Sequence, residues 1–391
     1  MIGVEDAWLA ALVAAGVAPP TAACVLGELV YEQDLAAIAR ESESAGNPVV
    51  ALVELLRDRA RVGTPLAATW LHRGLTSQDV LDTAFVLLAR TVLDQLLADA
   101  RSQIARLVEL AQEHAQTVMV ARTLTQYAVP TTFGLKATTW LTGLLDATDD
   151  LVRVRGALAV QAGGAAGTRA AWLELAQVTG QPPVHDVVPA LLTQFADGLG
   201  LAPCQPWHTN RHPITALGDA LVTLIDAYGH LANDVLVMCR PEVGELSLVG
   251  GGGSSTMPHK QNPVLAILIR RAALAAPMLG AQLHLAAADS VDERSDGAWH
   301  LEWDALRSLL RDCAVAAAQT TDLLGVLIVH TDQMRERADS VADLLLSERD
   351  GIRAALGADP SAHRGPADYL GAADEIISDV CDRAAMTLKG L

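Results

Sequence analysis

Residues 250–263 read GGGGSSTMPHKQNP. Four glycines run into Ser254 and Ser255, then come Met257, Lys260 and Asn262. Glycine gives a backbone the freedom to open and close around a ligand. A hydroxyl on such a segment can be brought onto a bound molecule, and Lys260 adds a fixed positive charge. Asn262 reads as a helix N-cap with Pro263 at the first helical position. The helix start contributes partial positive charge of its own. Together these describe an anion site that closes, with a hydroxyl beside the chemistry. A phosphate loop would need GxxxxGK[ST], which is absent. Glycine and serine alone make only a mobile loop; the MPHKQN continuation is what points to a site.

Long helices are the elements available to position it. Ile214, Leu217, Leu221, Leu224, Tyr228, Leu231, Val235 and Met238 alternate three and four apart, which predicts one helix over 208–240 with a heptad seam. Leu93, Leu97, Ala100, Ile104, Leu107 and Ala111 keep the same rhythm after Asp82. A third helix is expected after Asn262 through VLAILIRRAALAAPMLGAQLHLAAA, with a kink at Pro277, and a fourth over roughly 300–330. No stretch shows the alternation and turn signals of a hairpin. Rods of this length need a bundle, and their apolar stripes suggest association between chains.

The bulk numbers agree with helices. Of the 391 residues 51% are hydrophobic but only 4% aromatic, a mix that favours helix on helix. The length suggests about two or three domains. A net charge of −18 argues against nucleic acid and anionic membrane as partners, so an anionic substrate needs a locally basic site. The five cysteines show no ligand spacing, which fits reduced thiols in a cytoplasm. Residues 7–27 carry no charge, but the flank MIGVED is acidic and Pro19-Pro20 splits the run. Two short helices and a turn are expected there, and no targeting segment. His208 and His212 are four apart like a metal pair, yet no third ligand is evident and no metal is expected.

Gly253, Ser254, Ser255, Met257, Pro258, Lys260 and Asn262 match GSSxMPxKxN, the signature of the fumarase/aspartase superfamily. The stretch LHRGLTSQDVLDTA (71–84) resembles that family's first conserved region, and ARTLTQYAVPTTFGLKA (121–137) its second. The resemblance implies an all-α, three-domain fold in a homotetramer with a long central bundle, each active site assembled from three subunits. The corresponding domains would be 1–92, 93–330 and 331–391 (the last shorter than expected). It implies Ser254 as the proton-transfer residue, with His72 and Lys260 also catalytic. Arg73, Thr76, Ser77, Gln78, Arg122, Thr123, Gln126, Ser255, Met257, Asn262 and Arg294 would bind substrate. No cofactor is implied.

Many relatives carry histidine where this chain has Leu124, which counts against adenylosuccinate lyase and fumarase. Lacking it, and carrying QAGGAAGT (161–168), PWHTNR (206–211) and DERSDGAWHLEW (292–303), the chain is most similar to the bacterial 3-carboxy-cis,cis-muconate cycloisomerases. Asp292 replaces the usual histidine of an HER triplet, and Arg73 stands where an aromatic is common. Arg73 reads either as a carboxylate ligand or as solvated, and Arg122 and Arg294 each as a substrate ligand or an internal ion pair. The resemblance implies a cytoplasmic enzyme of aromatic (protocatechuate) breakdown that closes a carboxymuconate to its lactone. That reaction is β-elimination run backwards, through a carbanion held as an aci-carboxylate. Donors must face those oxygens, and the serine needs neighbouring positive charge to act as an acid or base. Two other readings stand beside it: a lyase releasing fumarate from a substituted succinate such as adenylosuccinate or nitrosuccinate, and a non-catalytic scaffold.

Overall fold

The computed structural model describes residues 1–180, 182–253, 256–257, 260–359 and 365–391. Helix α1 spans Ile2–Ala14, and short helices and turns lead from it to α2, Ser77–Glu113. A hairpin follows, β1 (Val118–Thr123) and β2 (Gln126–Thr132), and then α3, Phe133–Gly156. After two shorter helices come α4 (His212–Met238), β3 (Leu246–Leu248), α5 (Val264–Ala288), α6 (Gly297–Gly325) and β4 (Leu327–Val329). Short helices and Ala373–Gly390 complete the chain.

Two compact units are distinguished. One comprises Met1–Leu93, Val154–Leu217 and Gln282–Ala305, the other Asp94–Arg153, Gly218–Ala281 and Leu306–Leu391. In the first, Trp8, Trp172 and Phe195 are fully buried, with ring centroids 4.9 Å apart for the tryptophans and 5.4 Å for Trp8 and Phe195. In the second, the seam residues of α4 from Leu221 to Met238 are buried, as are Ala100, Ile104, Leu107 and Ala111 of α2. The Tyr228 hydroxyl donates to Gln103 Oε1 at 2.9 Å, so the polar tip of this buried ring is satisfied. Gly229 lets α4 and α5 approach closely, since a Cβ there would lie 2.5 Å from Ala273 Cβ.

Three expectations need correction. The hairpin was not legible, because its two-residue turn is Leu124-Thr125 rather than Asn-Gly, and a register shift between Val120 and Arg122 breaks the alternation. Both turn residues have positive φ, 49° and 71°. Near the N-terminus a single helix already begins at Ile2, and only short 3-10 turns follow over Pro20–Ala22 and Leu26–Leu29. Asn262 is not the N-cap of α5. Its backbone is bridged to Gly252, and Pro263 accepts the first helical bond, from Ile267 N at 3.1 Å. The His208 ring faces a buried carboxylate, as described below.

Candidate active site

The first unit builds one part of the site around the turn before α2. Thr76 and Asp79 form a capping pair in which Asp79 Oδ2 accepts Thr76 N at 3.0 Å. The fully buried Asp79 also accepts Gly163 N and Gly164 N, at 2.9 and 2.8 Å, and lies 2.8 Å from His208 Nε2. One carboxylate thereby joins the 72–76 turn to the glycine turn of 161–168. Arg294 adds a third segment, donating to Thr76 Oγ1 at 2.5 Å and to the Ala165 carbonyl at 3.0 Å. The structure therefore brings Thr76 and Arg294 together.

The turn itself is pinned from both sides. Trp8 Nε1 donates to the Arg73 carbonyl at 2.7 Å, and Trp172 Nε1 to the Gly74 carbonyl at 2.8 Å. Gly74 has φ +87°, and a Cβ there would lie 2.8 Å from Trp172 Cδ1. His72 sits at φ +63°, with Nδ1 2.6 Å from Glu5 Oε1. The Arg73 side chain is exposed, its Nε donating to the Thr69 carbonyl. Ser77 opens α2 and is half-buried. Gln78 is fully buried; its Nε2 reaches Asp82 and the His208 carbonyl, a supporting position within this unit.

Behind the turn, Arg211 lies between two carboxylates, 2.7 Å from Asp82 and 2.6 Å from Glu302. Trp299 Nε1 donates to the same Asp82 at 2.9 Å, which gives this tryptophan an anchoring role. Burial pushes the Glu302 carboxyl above its ordinary value despite the guanidinium. Asp292 has φ +52°, a conformation that aspartate tolerates better than most residues, in keeping with its place in the DERSDG turn.

In the second unit Arg122 and Gln126 line one cavity and Asn262 another. Arg122 makes a two-pronged ion pair with Glu245, at 2.8 and 3.1 Å, and Arg337 meets the same fully buried carboxylate at 2.7 Å. Arg122 is thus held in an internal pair next to β3, while Thr123 and Gln126 are exposed beside the hairpin turn. Arg122, Gln126, Tyr127, Arg240 and Arg337 line a cavity of about 970 Å³. Asn262, Gln261, Gly251, Ser247 and Cys239 line another, of about 380 Å³. Burial pushes the Cys239 thiol up to about 11, so it is protonated near neutrality and not a nucleophile.

Two backbone bonds of 2.9 Å join Gly252 and Asn262 and close the neck of the signature loop. A Cβ on Gly252 would lie 2.3 Å from Val264 Cγ2, so any other residue there must push that side chain aside. Lys260 and Met257 are exposed, and Lys260 N donates to the Met257 carbonyl at 3.0 Å. Ser254 and Ser255 lie outside the described residues. Among the described residues no group of three His, Cys, Asp or Glu is arranged to hold a metal ion.

Sequence reasoning missed Asp79, Glu245 and Glu5. The Thr-x-x-Asp spacing before α2 could have revealed Asp79. Glu245, in GEL, and Glu5, in VED, have no local pattern; only the fold places them against Arg122 and His72.

A family model described as lyase matches residues 22–277. Nitrosuccinate lyase of Streptomyces davaonensis is 43% identical over 362 residues, 88% of this chain and 75% of that protein. The 3-carboxy-cis,cis-muconate cycloisomerase of Bradyrhizobium diazoefficiens is 38% identical over 340 residues, 86% of this chain and 72% of that one. The solved 3-carboxy-cis,cis-muconate lactonizing enzyme of Pseudomonas putida superposes with a TM-score of 0.84 at 28% identity, covering 98% of this chain and 93% of that one. With the signature at 253–262 and a lyase model spanning more than half its length, the chain belongs to the lyase family of the fumarase/aspartase superfamily and is an enzyme of that superfamily.

Proposed function

We propose that the protein eliminates nitrite from nitrosuccinate, or a close analogue with an anionic leaving group, and releases fumarate. The observation that carries this reading is the 43% identity with nitrosuccinate lyase across 88% of the chain. Ser254 removes a proton from the methylene carbon next to one carboxylate. The electron pair moves into that carboxylate as an aci-carboxylate, returns to form the double bond, and expels nitrite from the neighbouring carbon. We assign Lys260, Asn262, Thr76 and Ser77 as donors to the doubly charged carboxylate, where fixed donors act most strongly. Arg73, Arg122 and Arg294 supply the positive field that an anionic substrate needs against a chain of net charge −18, and His72 is a further substrate contact. Thr123, Gln126, Ser255 and Met257 are assigned as further substrate contacts, and Gln78 as support for the turn that carries Thr76 and Ser77. No cofactor takes part.

A second reading is favoured by the superposition over 98% of the chain on a muconate-lactonizing enzyme. There Ser254 works in the reverse sense, delivering a proton to carbon as a substrate carboxylate adds to the double bond of carboxymuconate. The assay that separates the two follows ultraviolet absorbance and nitrite with each substrate in turn. Fumarate with equimolar nitrite is the expected result. Lactone formation without nitrite release would replace the first reading by the second.

The working unit we propose is a cytoplasmic homotetramer with shared sites, built from domains 1–92, 93–330 and 331–391. Helices α4 and α5 are long and apolar enough to cross a membrane by length and composition alone. The buried α4 seam and the partly exposed α5 fit a soluble bundle better. Ile267, Leu274, Met278 and Leu285 of α5 are 49, 70, 67 and 66% exposed, an outward apolar row that further copies would cover.

A further inference from the structure

We propose that Glu5 is a positioning residue for His72: it keeps the imidazole proton on Nδ1 and turns Nε2 outward as the atom offered to substrate. The inference rests on the reading of His72 as a substrate-facing residue. Glu5 lies on α1 and is fully buried, with Oε1 2.6 Å from His72 Nδ1. Its other oxygen has no hydrogen-bond partner among the described residues, so its described hydrogen bond is to the imidazole. An ionised carboxylate only accepts, so the shared proton sits on Nδ1. The His72 side chain is 17% exposed, which leaves the far edge of its ring accessible.

A plain structural staple explains less. The turn is already tied by Trp8 and Trp172. His72 nevertheless occupies a left-handed backbone position, at φ +63°, where a histidine is held only by its surroundings. Trp8 follows Glu5 by three residues on the same face of α1, so one helix fixes both the backbone and the ring. Substrate then meets the far edge of the ring, with Glu5 held at the other.

Selective 15N-histidine NMR of the full-length protein without substrate, at about pH 8, where the neutral form of a typical histidine dominates, reads the tautomer directly. A His72→Gln sample identifies the resonance. The expected result is a protonated Nδ1 and a bare Nε2 in the parent protein, and a mixture in Glu5→Gln. Against whichever substrate turns over, Glu5→Gln should lose about 10–100-fold in kcat/KM, mainly through KM, as for other residues that orient a histidine. Glu5→Asp should recover part of this loss. A proton on Nε2 in the parent protein, or a folded Glu5→Gln with unchanged KM, overturns the proposal. If Glu5→Gln does not fold, the parent spectrum alone decides. If neither substrate turns over, the spectrum still decides, and that failure belongs to the functional reading.

Discussion

The turn at 72–76 and the signature loop at 250–262 are held in opposite ways. Around the turn, side chains meet the backbone: Trp8 at the Arg73 carbonyl, Trp172 at the Gly74 carbonyl and the nearby Asp79 at Thr76 N, while Glu5 meets the His72 ring. The signature loop is gripped at its neck, where Gly252 and Asn262 exchange two backbone bonds. The turn is tied by side chains at Arg73, Gly74 and Thr76, and the described neck of the loop by backbone alone. On the proposed mechanism the turn binds a substrate carboxylate and the loop carries the proton. The contrast also means that errors in the two regions should be felt differently, the first in stability and the second in turnover.

The largest expected effect tests the loop's side of that contrast. Ser254→Ala should keep the melting temperature and lower kcat by at least about a hundredfold, the low end for a lost proton-transfer group. Unchanged kcat would remove Ser254 from the chemistry and leave the two regions without different tasks. Gly74→Ala probes the rigid side. Its Cβ would meet Trp172 Cδ1 at 2.8 Å in a left-handed conformation, so a loss of about 2–4 kcal/mol is expected in chemical denaturation. A loss no greater than at an exposed helix glycine would show that the turn yields easily.

Gly252→Ala should open the neck against Val264 and lower kcat/KM about tenfold, with stability changed by less than about 1 kcal/mol. Val264→Ala in the same chain should restore activity, because it removes the atom in the way. The smallest effect lies in the hairpin. Thr125→Gly should raise stability by up to about 1 kcal/mol, since Thr125 sits at φ +71°, where glycine is unstrained.

The helices were legible because their period is carried by many residues. Every seam position named for α4 is buried, and the apolar run read for α5 is helical throughout. The hairpin was not, because Leu124 and Thr125 carry none of the turn chemistry that announces one. The cap of α5 was misplaced by one residue, because Asn262 is engaged by Gly252, ten residues earlier. The site was half legible. Thr76 and Arg294, far apart in sequence, do meet. The carboxylates that hold the candidate groups went unread, because Glu5 and Glu245 pair with residues 67 and 123 positions away and leave no local periodicity.

The outward row of Ile267, Leu274, Met278 and Leu285 has a consequence for handling the protein. On the proposed assembly, mass action ties the melting point to protomer concentration, because separated copies return that oily surface to water. Dilution should then lower heat resistance as surely as a destabilising substitution, and replacing Leu274 by a charged residue should make the concentrated enzyme behave like the dilute one.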